Sequence, residues 1–129
     1  MKNKFLGVGE PGYHPLRKFK VILSGLRYAA LYDFSVLYKI VLSIIVLIFS
    51  LSLHAWVDTA VIILATGVAL SAELFNTAVE SLCDFIEIRH NEKIGMIKDI
   101  AAAAAGIAIL AWALVIGAGL LELWLLLTA

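Results

Sequence analysis

Three stretches of this chain are apolar for long enough to cross a lipid bilayer, and a bilayer admits only helices or closed barrels. Val36 to Leu53 (VLYKIVLSIIVLIFSLSL) carries one charge, Lys39, near its start, where a long side chain can snorkel to the interface. The second stretch runs from Trp56 to Asp84 and the third from Ile100 to Thr128. At ~1.5 Å per residue the second is roughly 43 Å long, more than the ~30 Å hydrocarbon core, so one end must protrude. With 63% hydrophobic residues, 16% charged residues and a mean hydropathy of +1.00, the chain is far too apolar for a soluble domain. The expected fold class is an all-α membrane protein.

Within the second stretch, Ala60 to Ala72 has no charge, yet AELFNTAVESLCD begins at its end. Glu73, Asn76, Glu80, Asp84 and Glu87 fall at i, i+3, i+7, i+11 and i+14. At ~100° per residue they share one face, within an arc of about 80°. A carboxylate facing hydrocarbon is disfavoured by ~2.5–3.5 kcal/mol, so this stripe must face protein, water, a metal ion or a substrate. Counted from Trp56, Glu73 lies ~26 Å along the helix and Glu80 ~36 Å, so the stripe starts inside the far interface and ends beyond it. It is the candidate site.

The remaining segments fit around that helix. Residues 1–14, with three glycines and a proline, are expected to be irregular. Residues 15–34 place Phe19, Ile22, Leu23, Leu26 and Ala30 on one side and Arg17, Lys18, Lys20, Ser24 and Arg27 on the other, the pattern of an amphipathic surface helix. A three-helix transmembrane domain, 36–128, follows, with spans at about 36–53, 56–84 and 100–128. His54 to Asp58 is a short turn in which His54 reads as a solvated residue and Trp56 as an interfacial aromatic. Phe85 to Ile97 reads as a loop of mixed charge. The run Ala101 to Gly106 and the trio Gly117 to Gly119 are small enough for close helix packing. Cys83 is the only cysteine, which excludes an internal disulfide, and reads as an apolar filler. All ten basic residues lie on one side, so the N-terminus and the 85–98 loop are expected in the cytoplasm.

The chemistry of the stripe narrows its use. Glu80 and Asp33 are oxygen ligands of the kind Mg²⁺ prefers, with phosphate and water completing the shell. Lys98 offers a point charge to phosphate, and the start of the third span, beside Lys98 and Asp99, adds a partly positive helix end. Glu73, deeper, is placed to take a proton from a lipid hydroxyl. Together these permit phosphoryl transfer from ATP to a lipid alcohol. Neither GxxxxGK[ST] nor a protein-kinase signature is present. A small proton- or cation-coupled transporter, with Glu73 as carrier, is the rival of another class. Against it, the carboxylates of the stripe cluster with a lysine at the cytoplasmic surface, and three spans are few for a transport path unless the chain oligomerises. A structural subunit whose stripe binds partner helices is the third reading, and no nucleic-acid partner is expected.

The segment AELFNTAVE, with Asp84 and then IKDIAAAA, closely resembles the prokaryotic diacylglycerol kinase family, which includes the undecaprenol kinases. The family pattern is roughly Glu-x-x-Asn-[Ser/Thr]-Ala-[Ile/Val]-Glu, an Asp four residues on, and Lys-Asp eighteen residues after the second Glu. Glu73, Asn76, Thr77, Ala78, Val79, Glu80, Asp84, Lys98 and Asp99 match at that spacing. The resemblance extends from about Gly25 to Gly106. It implies a homotrimer of three-span subunits in the bacterial inner membrane, with composite sites between subunits. It also implies that Glu73 is the base that meets the lipid, and that Asp33 and Glu80 bind the metal of MgATP. Asn76, Lys98 and Asp99 would support the triphosphate, with the 86–97 loop covering the nucleotide. Diacylglycerol, giving phosphatidic acid, is the first acceptor and undecaprenol the second. Two departures stand out: Asp33 replaces the usual Glu, one methylene longer, and FSVL at Phe34 to Leu37 lacks the aromatic-basic pair common there. The Ile-Ala-Ala after Lys98-Asp99 leans towards the undecaprenol branch, whereas GLRYAA at 25–30 leans towards the diacylglycerol branch.

Overall fold

The computed structural model describes residues 14–32, 34–53 and 56–129. Four helices make up these residues: α1 (Pro15–Tyr32), α2 (Phe34–Ser52), α3 (Trp56–Ile86) and α4 (Glu92–Thr128). No strand occurs among the described residues. The expectations for residues 1–13, for the metal ligand Asp33 and for His54 fall outside them. Helices α2, α3 and α4 are each long and apolar enough to cross a membrane, as a multi-pass membrane protein requires.

Local chemistry sets the helix ends. Pro15 occupies the first position of α1, where its missing N–H costs no hydrogen bond, and Lys18 N donates to His14 O at 3.1 Å. At α4 the boundary differs from expectation, because residues assigned to a loop from Phe85 to Ile97 are largely helical. Helix α3 continues to Ile86, and α4 begins at Glu92. Asn91 is the reason: in an extended conformation, its Oδ1 accepts from Lys93 N at 3.0 Å and Ile94 N at 3.4 Å. Glu92 then places a carboxylate in the first turn, where the helix dipole favours it. Only Glu87 to Asn91 connect the two helices. Of the charges that read as a connector, Glu87 and Arg89 stay in it, whereas Glu92 and Lys93 are the exposed surface of the first turn of α4.

Helices α2 and α3 meet along a seam with coiled-coil spacing. Val36, Lys39, Ser43, Val46 and Ser50 of α2 are buried, as are Thr59, Ile62, Ala69 and Glu73 of α3. The α2 set steps by three and four residues and the α3 set by three, seven and four, the heptad spacing that keeps one face on a partner helix. The two helices run antiparallel, so polar rungs recur along the seam. Ser50 and Thr59 hydroxyls bond at 2.8 Å, and Thr66 Oγ1 donates to Ser43 Oγ at 3.0 Å. Trp112 of α4 donates Nε1–H to the same Ser43 Oγ at 2.9 Å. Each interhelical bond of this kind contributes about 0.6 kcal/mol in a membrane. Between the rungs, Val46, Ile62, Ala69, Trp112 and Ile116 form the apolar core.

Small residues act at fewer places than expected. A Cβ on Gly119 would stand 3.0 Å from Val46 Cγ1, so this glycine sets how closely α4 approaches α2. In the run at 101–106, Ala105 is buried and Ala101 half-buried, one turn apart. Ala102, Ala103, Ala104 and Gly106 point away from the other helices, because a helix presents only every third or fourth residue to one neighbour. Most large apolar side chains, Ile107 and Leu114 among them, also face outward, as lipid or neighbouring subunits allow.

Candidate functional site

The polar face of α3 resolves into three pairs at successive depths. The deepest is a buried ion pair in which Lys39 Nζ lies 2.6 Å from Glu73 Oε1. Ser35 donates its hydroxyl to the same Oε1 at 3.0 Å. Lys39 also bonds to Ser35 O at 3.2 Å and to Ser35 Oγ, so its three ammonium protons have three acceptors. Its Nζ lies 4.7 Å from the Tyr38 ring centroid. Glu73 Oε2 accepts no hydrogen bond among the described residues. Contrary to the expectation from its place near the start of the span, Lys39 does not snorkel: it is 1% exposed. The seam turns it towards α3, and a carboxylate within reach relieves the large penalty of a lone buried ammonium.

One turn towards the surface, Asn76 Nδ2 donates to Glu80 Oε1 at 3.0 Å. A carboxylate can only accept, so this bond fixes the amide and leaves Asn76 Oδ1 as an acceptor. That atom is buried and has no partner. A buried carbonyl without a donor marks a place that a cation or donor group satisfies. Two hard oxygen groups side by side suit Mg²⁺, which takes one or two carboxylates and leaves the rest to phosphate and water. Among the described residues, no group of three or more His, Cys, Asp and Glu could hold a metal without such help.

The outermost pair is Lys98 Nζ with Asp84 Oδ1 at 2.5 Å, its side chains 32% and 65% exposed. Lys98 lies nearly two turns inside α4, because that helix begins at Glu92. The positive helix end expected beside Lys98 belongs to Asn91 and Glu92 instead. Asp99 is exposed and makes no hydrogen bond or ion pair among the described residues. The structure thus brings Asn76 to Glu80 and Lys98 to Asp84, and leaves Asp99 apart from both. Lys39 and Ser35 are site residues that the sequence expectations missed. Their signal was the three-four spacing of Val36, Lys39, Ser43, Val46 and Ser50, which puts Lys39 on the inner face.

Helix α1 stands off from α3 across a cleft of about 1070 Å³. Ile22, Gly25 and Leu26 line one wall, and Leu74, Thr77 and Glu80 the other. Its walls are apolar with a carboxylate at one place, the composition of a site for an amphipathic small molecule. Glu80 reaches it, and Glu73, turned to α2, does not.

The family model described as prokaryotic diacylglycerol kinase matches residues 20–120. No curated protein matches the chain. The matched segment runs from Lys20 in α1 to Leu120 in α4 and takes in all three pairs. The chain belongs to the prokaryotic diacylglycerol kinase family, a family of small membrane lipid kinases.

Proposed function

We propose that this protein transfers the γ-phosphate of ATP to the hydroxyl of a membrane lipid, with diacylglycerol as first acceptor and undecaprenol as second. One observation carries the reading: a buried carboxylate and a nearby polar pair with an unsatisfied carbonyl lie in order along one face of α3. The depths suit two substrates of opposite solubility. Glu73 takes the proton of the lipid hydroxyl on Oε2 as the new O–P bond forms, and the electrons of the broken P–O bond leave with ADP. Lys98 exchanges Asp84 for the triphosphate, an exposed pair being cheap to open. Glu80, with Asp33 and Asn76 Oδ1, would hold Mg²⁺, which supplies charge neutralisation to the phosphates. Asp33, one methylene shorter than the Glu usual in the family, would share that role.

The assembly is a homotrimer with composite sites. The outward small residues Ala102, Ala103, Ala104 and Gly106 of α4 suit a close subunit contact, and the unpaired Asp99 is free to serve a nucleotide held with a neighbour. The basic residues put the N-terminus and the 85–98 segment in the cytoplasm of an inner-membrane protein, with α1 as the amphipathic surface helix.

The test is transfer of labelled phosphate from ATP, with and without Mg²⁺, by purified protein in mixed micelles containing diacylglycerol or undecaprenol. Metal-dependent labelling of one lipid supports the reading and names the acceptor. Folded, oligomeric protein that labels neither overturns it.

A further inference from the structure

Lys39 is buried more completely than any other charged residue described, and nothing so far gives it a part in the reaction. A lysine placed there only for stability would be a poor choice, since an apolar residue of similar volume often serves as well as a buried ion pair or better. Its geometry instead divides the two oxygens of Glu73. Oε1 receives both Lys39 Nζ and Ser35 Oγ, while Oε2 receives neither. The ammonium and the Ser35 hydroxyl together therefore fix the rotation of the carboxylate.

We propose that Lys39 is a positioning residue for the phosphoryl transfer: by holding Oε1 of Glu73 together with Ser35, it fixes the rotation of the side chain and turns Oε2, the oxygen that neither of them occupies, towards the acceptor hydroxyl. The proposal rests on the reading of Glu73 as the base. Few other groups compete for this role. On α2, Tyr38 and Ser35 are the neighbours of the pair, and Ser35 carries no charge at any pH near neutrality. On α4 no titratable residue occurs between Asp99 and Glu122, so the helix packed most closely on α3 offers Glu73 no second charge at that depth. Along α3 itself, Glu80 is two turns away and bonded to Asn76. Without Lys39, Oε1 keeps only the Ser35 hydroxyl, and the side chain is free to rotate Oε2 away from the acceptor.

The experiment compares Lys39→Met, Glu73→Gln and the double variant with the unaltered protein, in mixed micelles with the lipid that is labelled. The double variant keeps the shape of both side chains without charge, and its oligomeric state and helix content check that the fold tolerates the exchange. Lys39→Met is expected to lower kcat near neutral pH by about tenfold to a hundredfold, within the range that a general base contributes. KM for ATP should stay within about twofold, because the nucleotide sits at other pairs. Lys39→Arg, which can still donate to Oε1, is expected to recover kcat well above the level of Lys39→Met. A merely structural lysine would lower kcat only as far as it lowers the folded fraction, read by denaturant titration of the same micelles. Lys39→Met with an unchanged kcat overturns the proposal, as does a loss shared equally between kcat and KM for ATP. If Glu73→Gln is inactive in either case, the base reading stands while the role of Lys39 falls. Full activity of Glu73→Gln removes both.

Discussion

Two lysine–carboxylate pairs lie on the same face of α3, and they differ in almost everything but chemistry. Lys39 and Glu73 are sealed between α2 and α3, with every ammonium proton bonded. Lys98 and Asp84 meet at the rim between α3 and α4, both partly in water. A pair in low dielectric is hard to separate, because each partner would be left as an uncompensated charge. One at the surface trades partners at little cost, since water solvates whichever ion is released. On the proposed reading, the difference matches the two tasks set by a lipid acceptor and a soluble donor: one carboxylate stays put, and one lysine is free to change hands.

The largest expected effect removes the deep carboxylate's chemistry alone. Glu73→Gln keeps the shape and should lower turnover by about 10²–10⁴-fold, while MgATP binding, followed by nucleotide protection against unfolding, changes little. If nucleotide binding fell as steeply as turnover, the separation into a deep acceptor site and a shallow nucleotide site would be wrong. Next, Lys39→Ala deletes one partner of the sealed pair and opens a cavity. A loss of about 3–5 kcal/mol in stability is expected, read as an earlier midpoint in denaturant titration of the micellar protein. Glu80→Gln touches only the shallow end: loss of a contact to a charged group worth about 1.5–3 kcal/mol should weaken metal-dependent nucleotide binding tenfold or more. The smallest change is expected from Asp84→Asn, which opens the exposed pair. Stability should fall by less than about 1 kcal/mol, and the fall should shrink further in high salt. A loss as large as that of Lys39→Ala would mean that the outer pair is locked too.

Much of this was legible before the fold was known. The spans follow from unbroken apolar length, and the stripe follows from carboxylates at helical intervals beyond an uncharged run. What the residues alone hid were properties that depend on a partner. A lysine near the end of a span either bends to the surface or pairs across the seam. The choice at Lys39 rests on the register that sets α2 against α3, which Ser43 with Thr66 and Ser50 with Thr59 fix from a distance. The start of α4 was hidden for a simpler reason. Its first two turns carry the mixed charge of a solvated surface, and only the cap at Asn91, followed by Glu92, distinguishes a helix there from a loop. Likewise, a row of alanines announces close packing without saying which of them face inward.

The polar rungs between α2 and α3 also bear on how the chain enters its membrane. Taken singly, α2 would bring a lysine and α3 a glutamate into the apolar phase, each opposed by about 2.5–3.5 kcal/mol on the scale that governs insertion during synthesis. Taken together they bring in a neutral pair, already aligned by Ser43 with Thr66 and by Ser50 with Thr59. The connection between α2 and α3 is only residues 53–55, so the second helix emerges from the ribosome beside the first. The charges of the hairpin therefore enter the apolar phase at lower cost when the two helices insert as a pair than when each inserts alone.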